Sequence, residues 1–457
     1  MAKVIDNTFV LTRSIQTRWH SASIWWLSPL FLSMANLGLA FAAVMLPPHW
    51  LSGALHENDL CFLSPDLMLV IVVSEASFFL GILLASKLFD HGRIAVRRSP
   101  LLNPTKSILF MANILTGIVI IGELLLATTL IERVGLAHYV FAFGNPVAGL
   151  NLRENIVTMA RIGGVNVLAI ENFFLPALML VIFIYLSLQS RKQRLLGMSY
   201  AIFGLIMYIF VNALTLTRWQ ILQGLLSVIV VYVFYKNSRK GMKLTRILRV
   251  AIYFILFATL LFLGVNQLKT TIHGDNAIVG YVFGSYNNAA GVISGVIRPP
   301  FSDSTYVTLG ALWNAPFAGG NIRTLGSSLG LDLPNAKAGA MIVWSGWTNS
   351  LTKAGLNPVY QWDTVFGAIY GDVGLLFPFV FFFYGFVSQY FFVNAIKLRL
   401  FHFLIYIFII VSLVTWFTSV FISNTTFDDY AIFSLVLYLI FKSEWRRSIH
   451  TTNGQII

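Results

Sequence analysis

Cysteine is nearly missing: Cys61 is the single one in 457 residues, which excludes an intramolecular disulfide and argues against a cysteine metal site. Charge is scarce too, at 11% of residues against 57% hydrophobic, with a mean hydropathy of +0.77. A soluble globule cannot cover itself with so little polar surface. Acidic residues number 18 against 31 Lys and Arg, a net +13 with pI near 9.8. There is no HExxH, no phosphate-binding glycine loop and no clustered set of metal ligands, so no bound metal or cofactor is expected. Internal repeats and low-complexity tracts are absent as well, which disfavours the repeat-built transporter folds.

What is present is a series of apolar runs near 20 residues, the length that crosses a bilayer as a helix. The expected fold is all-α: a polytopic membrane bundle of about ten transmembrane helices forming a single membrane domain over 1–457. The spans read as 24–46, 67–88, 107–131, 170–189, 196–216, 219–235, 250–266, 366–395, 401–421 and 427–442. The first run, from Ile24, is too long for a signal-peptide core and lacks a small-residue cleavage site, so it reads as a retained span.

The excess positive charge is not spread as in a nucleic-acid binder. It clusters between apolar runs, as in "RIAVRRSP" and "KNSRKGMKLTRILR". Under the positive-inside rule, 22 of the 31 cations fall on one side, which makes both termini cytoplasmic. Two segments on the opposite side are too long for turns: about 132–169 and about 267–363. The second is rich in Gly, Asn, Ser, Trp and Tyr, and its apolar content argues against disorder.

Nine cations remain outside and need a reason. "RENIVTMARIGG" holds Arg153 and Arg161, about 12 Å apart if the segment is one helix, followed by Gly163 and Gly164, which permit close backbone approach. Arginine suits phosphate because its planar fork of donors matches phosphate oxygens bidentately. The plain alternative is pairing with Glu154 or Glu132 and snorkelling at headgroup level. Arg218, in "NALTLTRWQIL", sits between two apolar runs, where a charge is costly and usually marks a site; its alternative is an interfacial anchor beside Trp219. Arg298 precedes Pro299 and Pro300, which hold the backbone extended. Arg323, in "GGNIRTLGSS", is placed for an amide-rich turn. Ion pairs with Asp303 and Asp332 are the structural alternatives for these two.

A general base would come from His273, Asp275, Asp303, Asp363, Glu171 or Asp372, which the sequence does not rank. Asp363 and Asp372 stand at the entrance to the eighth span, where capping of a helix start explains a carboxylate equally well. Glu75 and Glu123 are acids inside spans, each a candidate site or a bond to a neighbouring helix.

Taken in order, these features resemble the Wzy family of O-antigen polymerases, which have ten or more spans and two large periplasmic loops. Some members carry in each loop an arginine, ten residues, then glycine. Arg153 and Gly164 match that spacing; Arg298 is followed by Gly310, one residue beyond it. Thr217-Arg218 and "YGDVGLL" followed by "FFFYGF" resemble further family patterns. The resemblance implies a metal-independent glycosyltransferase without cofactor, which polymerises undecaprenyl-diphosphate-linked oligosaccharide units. It places the chain in a Gram-negative inner membrane with a periplasmic site, in the lipid bilayer with a chain-length regulator and a flippase as partners and no nucleic acid. The catalytic set it implies is Arg153, Arg218, Arg298 and Asp303, the arginines neutralising the diphosphate. Arg161, Gly164, Arg323, Tyr360, Asp363 and Asp372 would bind substrate. Trp313, Trp344, Trp347, Tyr360 and Trp362 offer flat faces to sugar rings or, alternatively, fill the loop core. Three other readings stay open: the related ligase that moves the glycan to lipid A-core, a transporter or flippase, and a lipid-linked-sugar glycosyltransferase using Glu57, Asp59 and Asp66.

Overall fold

The computed structural model describes residues 24–47, 62–89, 104–139, 161–162, 165–215, 218–240, 280–299, 319–330, 346–357, 362–418 and 425–453, and the single positions 49, 102 and 308. Among the described residues the fold is helical apart from one two-stranded hairpin. In chain order come α1 (Pro29–Val44), α2 (Pro65–Phe89), α3 (Lys106–Val134), β1 (Arg161–Ile162), β2 (Val165–Asn166), α4 (Val167–Ser187), α5 (Arg191–Leu214) and α6 (Arg218–Lys240). After them come α7 (Ser285–Ile293), α8 (Gly319–Ser328), α9 (Thr364–Val373), α10 (Phe377–Ile396), α11 (Leu400–Val414) and α12 (Thr425–Asn453).

Capping residues start these helices where the sequence turns apolar. Ser28 accepts from the Phe31 amide ahead of Pro29, Thr105 from the Ile108 amide, and Ser190 from the Gln193 amide. Among the described residues, five segments are long and apolar enough to cross a membrane: Pro65–Phe89, Lys106–Val134, Arg191–Leu214, Gln220–Ser238 and Thr364–Ile396, the last of which holds both α9 and α10. Pro29–Val44, Glu171–Ser187 and Leu400–Val414 are shorter apolar helices. The chain is a multi-pass helical membrane protein. The expected seventh span, 250–266, lies outside the described residues, as does most of 132–169.

Two helices form the interior. Leu175–Tyr185 of α4 and Phe403–Leu413 of α11 are buried on every side, as an all-apolar helix must be. They meet where the Phe183 and Phe403 rings pack edge to face at 5.0 Å. By contrast α2, α3 and α5 each keep an exposed apolar stripe, including Leu69, Leu80, Phe110, Ile121, Ile202 and Ile206, which suits lipid rather than water.

The closest helix pair is α2 with α10. They run parallel, with Phe78 beside Tyr384, Gly81 beside Phe382 and Ser86 beside Gln389. Gly81 and Gly385 let the two backbones touch. A Cβ at Gly81 would stand 2.8 Å from the Phe386 nitrogen, and one at Gly385 2.8 Å from the Phe78 carbonyl carbon.

The expected eighth span, 366–395, is not one helix. Phe366 stacks on Phe381 with ring centroids 5.6 Å apart and planes at 16°, yet a continuous helix would separate them by about 22 Å. The chain turns back at Gly374, whose φ of 55° suits glycine. α9 is therefore a half-length helix folded against the start of α10, and only α10 runs on.

Candidate functional site

α7 lies alongside α9 and points the same way. Asn288 donates to the Trp362 carbonyl at 2.9 Å. A Cβ on Gly367 would meet Ala289 Cα at 2.7 Å, and one on Gly371 would meet Pro299 at 2.8 Å and Val292 at 3.0 Å. Two small-residue faces thus bring a pair of short helices into backbone contact. Both begin among buried residues of the bundle. The Phe62 amide, just ahead of α2, donates to Asn287 Oδ1 at 2.7 Å and pins α7 to that helix.

The two helix beginnings are polar and buried. α7 opens with Ser285, Tyr286, Asn287 and Asn288, all shielded. α9 opens at Thr364, a buried β-branched residue with φ of 58°, a conformation that few residues of this kind adopt and that often accompanies a functional site. Thr364 Oγ1 accepts from the Gly367 amide at 3.3 Å, and the Val365 amide donates to the Trp416 carbonyl at 2.8 Å. Asp363 precedes this turn, half-buried. Burial pushes its carboxyl up to about 7.

The carboxylates at the start of the eighth span are not helix caps. Asp363 occupies the N-cap position of α9 but makes no side-chain cap bond; the neighbouring Thr364 hydroxyl fills that role. Asp372 stands at the opposite end of α9. Its Oδ2 accepts from both the backbone amide of Thr308 (2.8 Å) and the Thr308 hydroxyl (2.7 Å). It anchors part of the late connecting segment to the helix pair.

The residues expected at the site divide accordingly. Arg298 follows α7, exposed, and its neighbour Pro299 packs on Gly371, so Arg298 and Asp372 share one end of the helix pair. Asp363 lies about 14 Å along α9 from Asp372, so these two cannot grip one group together. Arg161 is in β1, paired with Asn166, while Ile162 pairs with Val165. Arg161 is thus in a strand and not in a helix, and its spacing from Arg153 lies outside the described residues. Arg218 opens α6 and Arg323 lies within α8. Arg153, Gly164, Asp303 and Tyr360 lie outside the described residues. Trp347 packs, buried, with Leu351, Leu356, Val292 and Ile297; it is loop core and does not face a sugar.

Sequence reading passed over Tyr286, Asn287, Asn288 and Thr364. The first three had a signal, a run of polar residues between Gly284 and Ala289. Thr364 had none, because a left-handed backbone angle at a threonine leaves no mark in the sequence. Elsewhere the acids behave as suspected of intramembrane carboxylates. Glu75 is buried near Ser33 and Tyr286. Glu123 on α3 and Glu171 on α4 are wholly buried and near one another, with Tyr208 and Asn212 of α5 close by. The Glu123 carboxylate has no hydrogen-bond partner among the described residues, and that of Glu171 has Asn212 within reach. No group of three or more potential metal ligands occurs among the described residues.

No protein-family model matches the chain, and neither a curated protein nor a solved structure matches it significantly.

Proposed function

We propose that the protein is a glycosyltransferase that polymerises undecaprenyl-diphosphate-linked oligosaccharide units into a surface polysaccharide, at the periplasmic face of a Gram-negative inner membrane. The observation that carries the reading is the paired helices α7 and α9. They bring Arg298 and Asp372 to one end and place Asp363, with its carboxyl near 7, beside a strained buried turn at the other.

The chemistry asks little of the enzyme beyond positioning. A lipid diphosphate is already a good leaving group, so neither nucleotide nor metal is required. Arginines, with Arg298 nearest the described site, neutralise the charge that builds on the leaving oxygen, where each well-placed donor contributes roughly 3–4 kcal/mol. A carboxylate takes the acceptor hydroxyl's proton, most effectively with a pKa near the working pH. Asp363 suits that role better than Asp372, whose carboxylate is already engaged by Thr308.

One observation favours a second reading, a transporter of the lipid-linked unit: transporters commonly hold their substrate at half-helices that begin inside the bundle. The two are separated by purified protein with a defined lipid-diphosphate-linked repeat unit, alone and with lipid A-core, product length being read on a gel. A ladder of longer lipid-linked glycans, weakened in Arg298→Ala and Asp363→Asn, supports the polymerase. Transfer to lipid A-core without a ladder makes it the ligase. Passage of the unit across vesicles with no new bond sinks the enzyme reading.

A further inference from the structure

At the end of the bundle opposite the paired half-helices, a cavity of about 440 Å³ opens between the α10–α11 turn and α12. Its polar edge is formed by Arg399 and Lys442, and its walls by Phe401, Leu435, Tyr438 and Phe441. No acidic residue lines it among the described residues.

Both cations are held in place. The turn carries Leu398, buried in a left-handed conformation with φ of 51°, which is strained for a residue with a Cβ. The Leu398 amide donates to the Ala395 carbonyl (2.8 Å) and the Arg399 amide to the Asn394 carbonyl (3.3 Å). One guanidinium nitrogen of Arg399 donates to Asn394 Oδ1 at 2.8 Å, which leaves the rest of its donor fork for a ligand. The Lys442 ammonium lies over the Tyr438 ring, 5.6 Å from its centre. His402, also on the cavity wall, is engaged by the Tyr390 hydroxyl at 3.0 Å.

We propose that this cavity binds the phosphate headgroup of an anionic glycerophospholipid, with an acyl chain lying along the outer face of α12. Two fixed cations match a phosphodiester, and a basic pocket at the end of a helix bundle suits such a headgroup. The apolar walls continue into the exposed Leu435, Val436, Leu439 and Ile440 of α12. That continuity favours a lipid over a free phosphate, which has nothing to place there. The site lies at the end where Lys397, Arg399 and Lys442 gather, away from the chemistry proposed above, and does not depend on it.

The test uses the full chain in a neutral detergent, with thermal unfolding followed as phosphatidylglycerol is added. Phosphatidylcholine of the same chains and inorganic phosphate serve as comparisons. Saturable stabilisation by phosphatidylglycerol alone is expected, its half-saturation weakened about thirtyfold in Arg399→Gln/Lys442→Gln. Equal stabilisation by phosphatidylcholine would overturn the headgroup assignment, and stabilisation by inorganic phosphate would overturn the lipid. If the double variant is misfolded by its elution profile, Leu435→Trp decides, because it fills the cavity and keeps both cations. Loss of the phosphatidylglycerol effect in that variant supports the site, and an unchanged effect refutes it.

Discussion

Replacing Gly385 with alanine puts a methyl group where the α2 backbone already stands. The added carbon would be 2.8 Å from the Phe78 carbonyl carbon and 3.0 Å from its Cα, with the carbonyl oxygen closer still. Ordinary contact requires about 3.4–4 Å, and the obstacle is helix backbone that cannot swing aside. α2 and α10 must therefore part by roughly 1 Å, which forfeits a quarter to a half of the attraction of every atom pair along the contact. Overpacking of this kind costs about 1–3 kcal/mol. Gly81→Ala meets the Phe382 carbonyl and the Phe386 nitrogen and needs the same separation, so the double variant should lose clearly less than the two single losses combined. Gly38→Ala and Gly117→Ala serve as controls. Their added carbons meet nothing within 4 Å, and better helix propensity should leave them neutral or up to about 1 kcal/mol more stable. Thermal unfolding of the purified protein reads all five. Strict additivity of the Gly81 and Gly385 losses, or a Gly385→Ala protein as stable as the Gly38→Ala control, would refute the close backbone crossing.

The other expectations concern the acids. Burial raises the Asp363 pKa from 3.8 to about 7, so the folded state holds a proton in that window that the unfolded chain releases. Stability should fall as pH rises from about 4 to about 7 and then level off, and Asp363→Asn should flatten that slope; an unchanged profile would clear Asp363 of the effect. If Asp363 is the base, polymerisation by the wild type should rise through pH 7 and the variant should lose both rate and rise. Asp372→Ala removes both bonds to Thr308 and should cost about 2–3 kcal/mol, with faster proteolysis near residue 308; equal stability would mean the anchor is replaceable. Glu171→Gln removes one of two facing buried acids and keeps the shape. It should leave the melting temperature unchanged or higher, whereas a fall would show that the charge is matched by a cation.

The sequence by itself determined that this is a helical membrane protein, because apolar runs of bilayer length with so few charges have no other stable arrangement. It marked Glu75 and Glu123 as unusual, because an acid in an apolar run is visible without coordinates. Tertiary structure alone decided that 366–395 contains a reversal. Gly374 sits in a stretch that is apolar but for Asp372, and only the Phe366–Phe381 stack shows that the chain folds back there. It also decided the two aspartates. Their nine-residue spacing is compatible with two caps, but capping depends on which amides a carboxylate reaches: Asp363 makes no cap bond to its own helix, while Asp372 reaches Thr308, 64 positions away. The basic cavity was likewise hidden, because Arg399 and Lys442 lie 43 residues apart and read separately as ordinary inward-facing charge. A hydropathy pattern reports the solvent each segment prefers, and it carries no information about which segments touch.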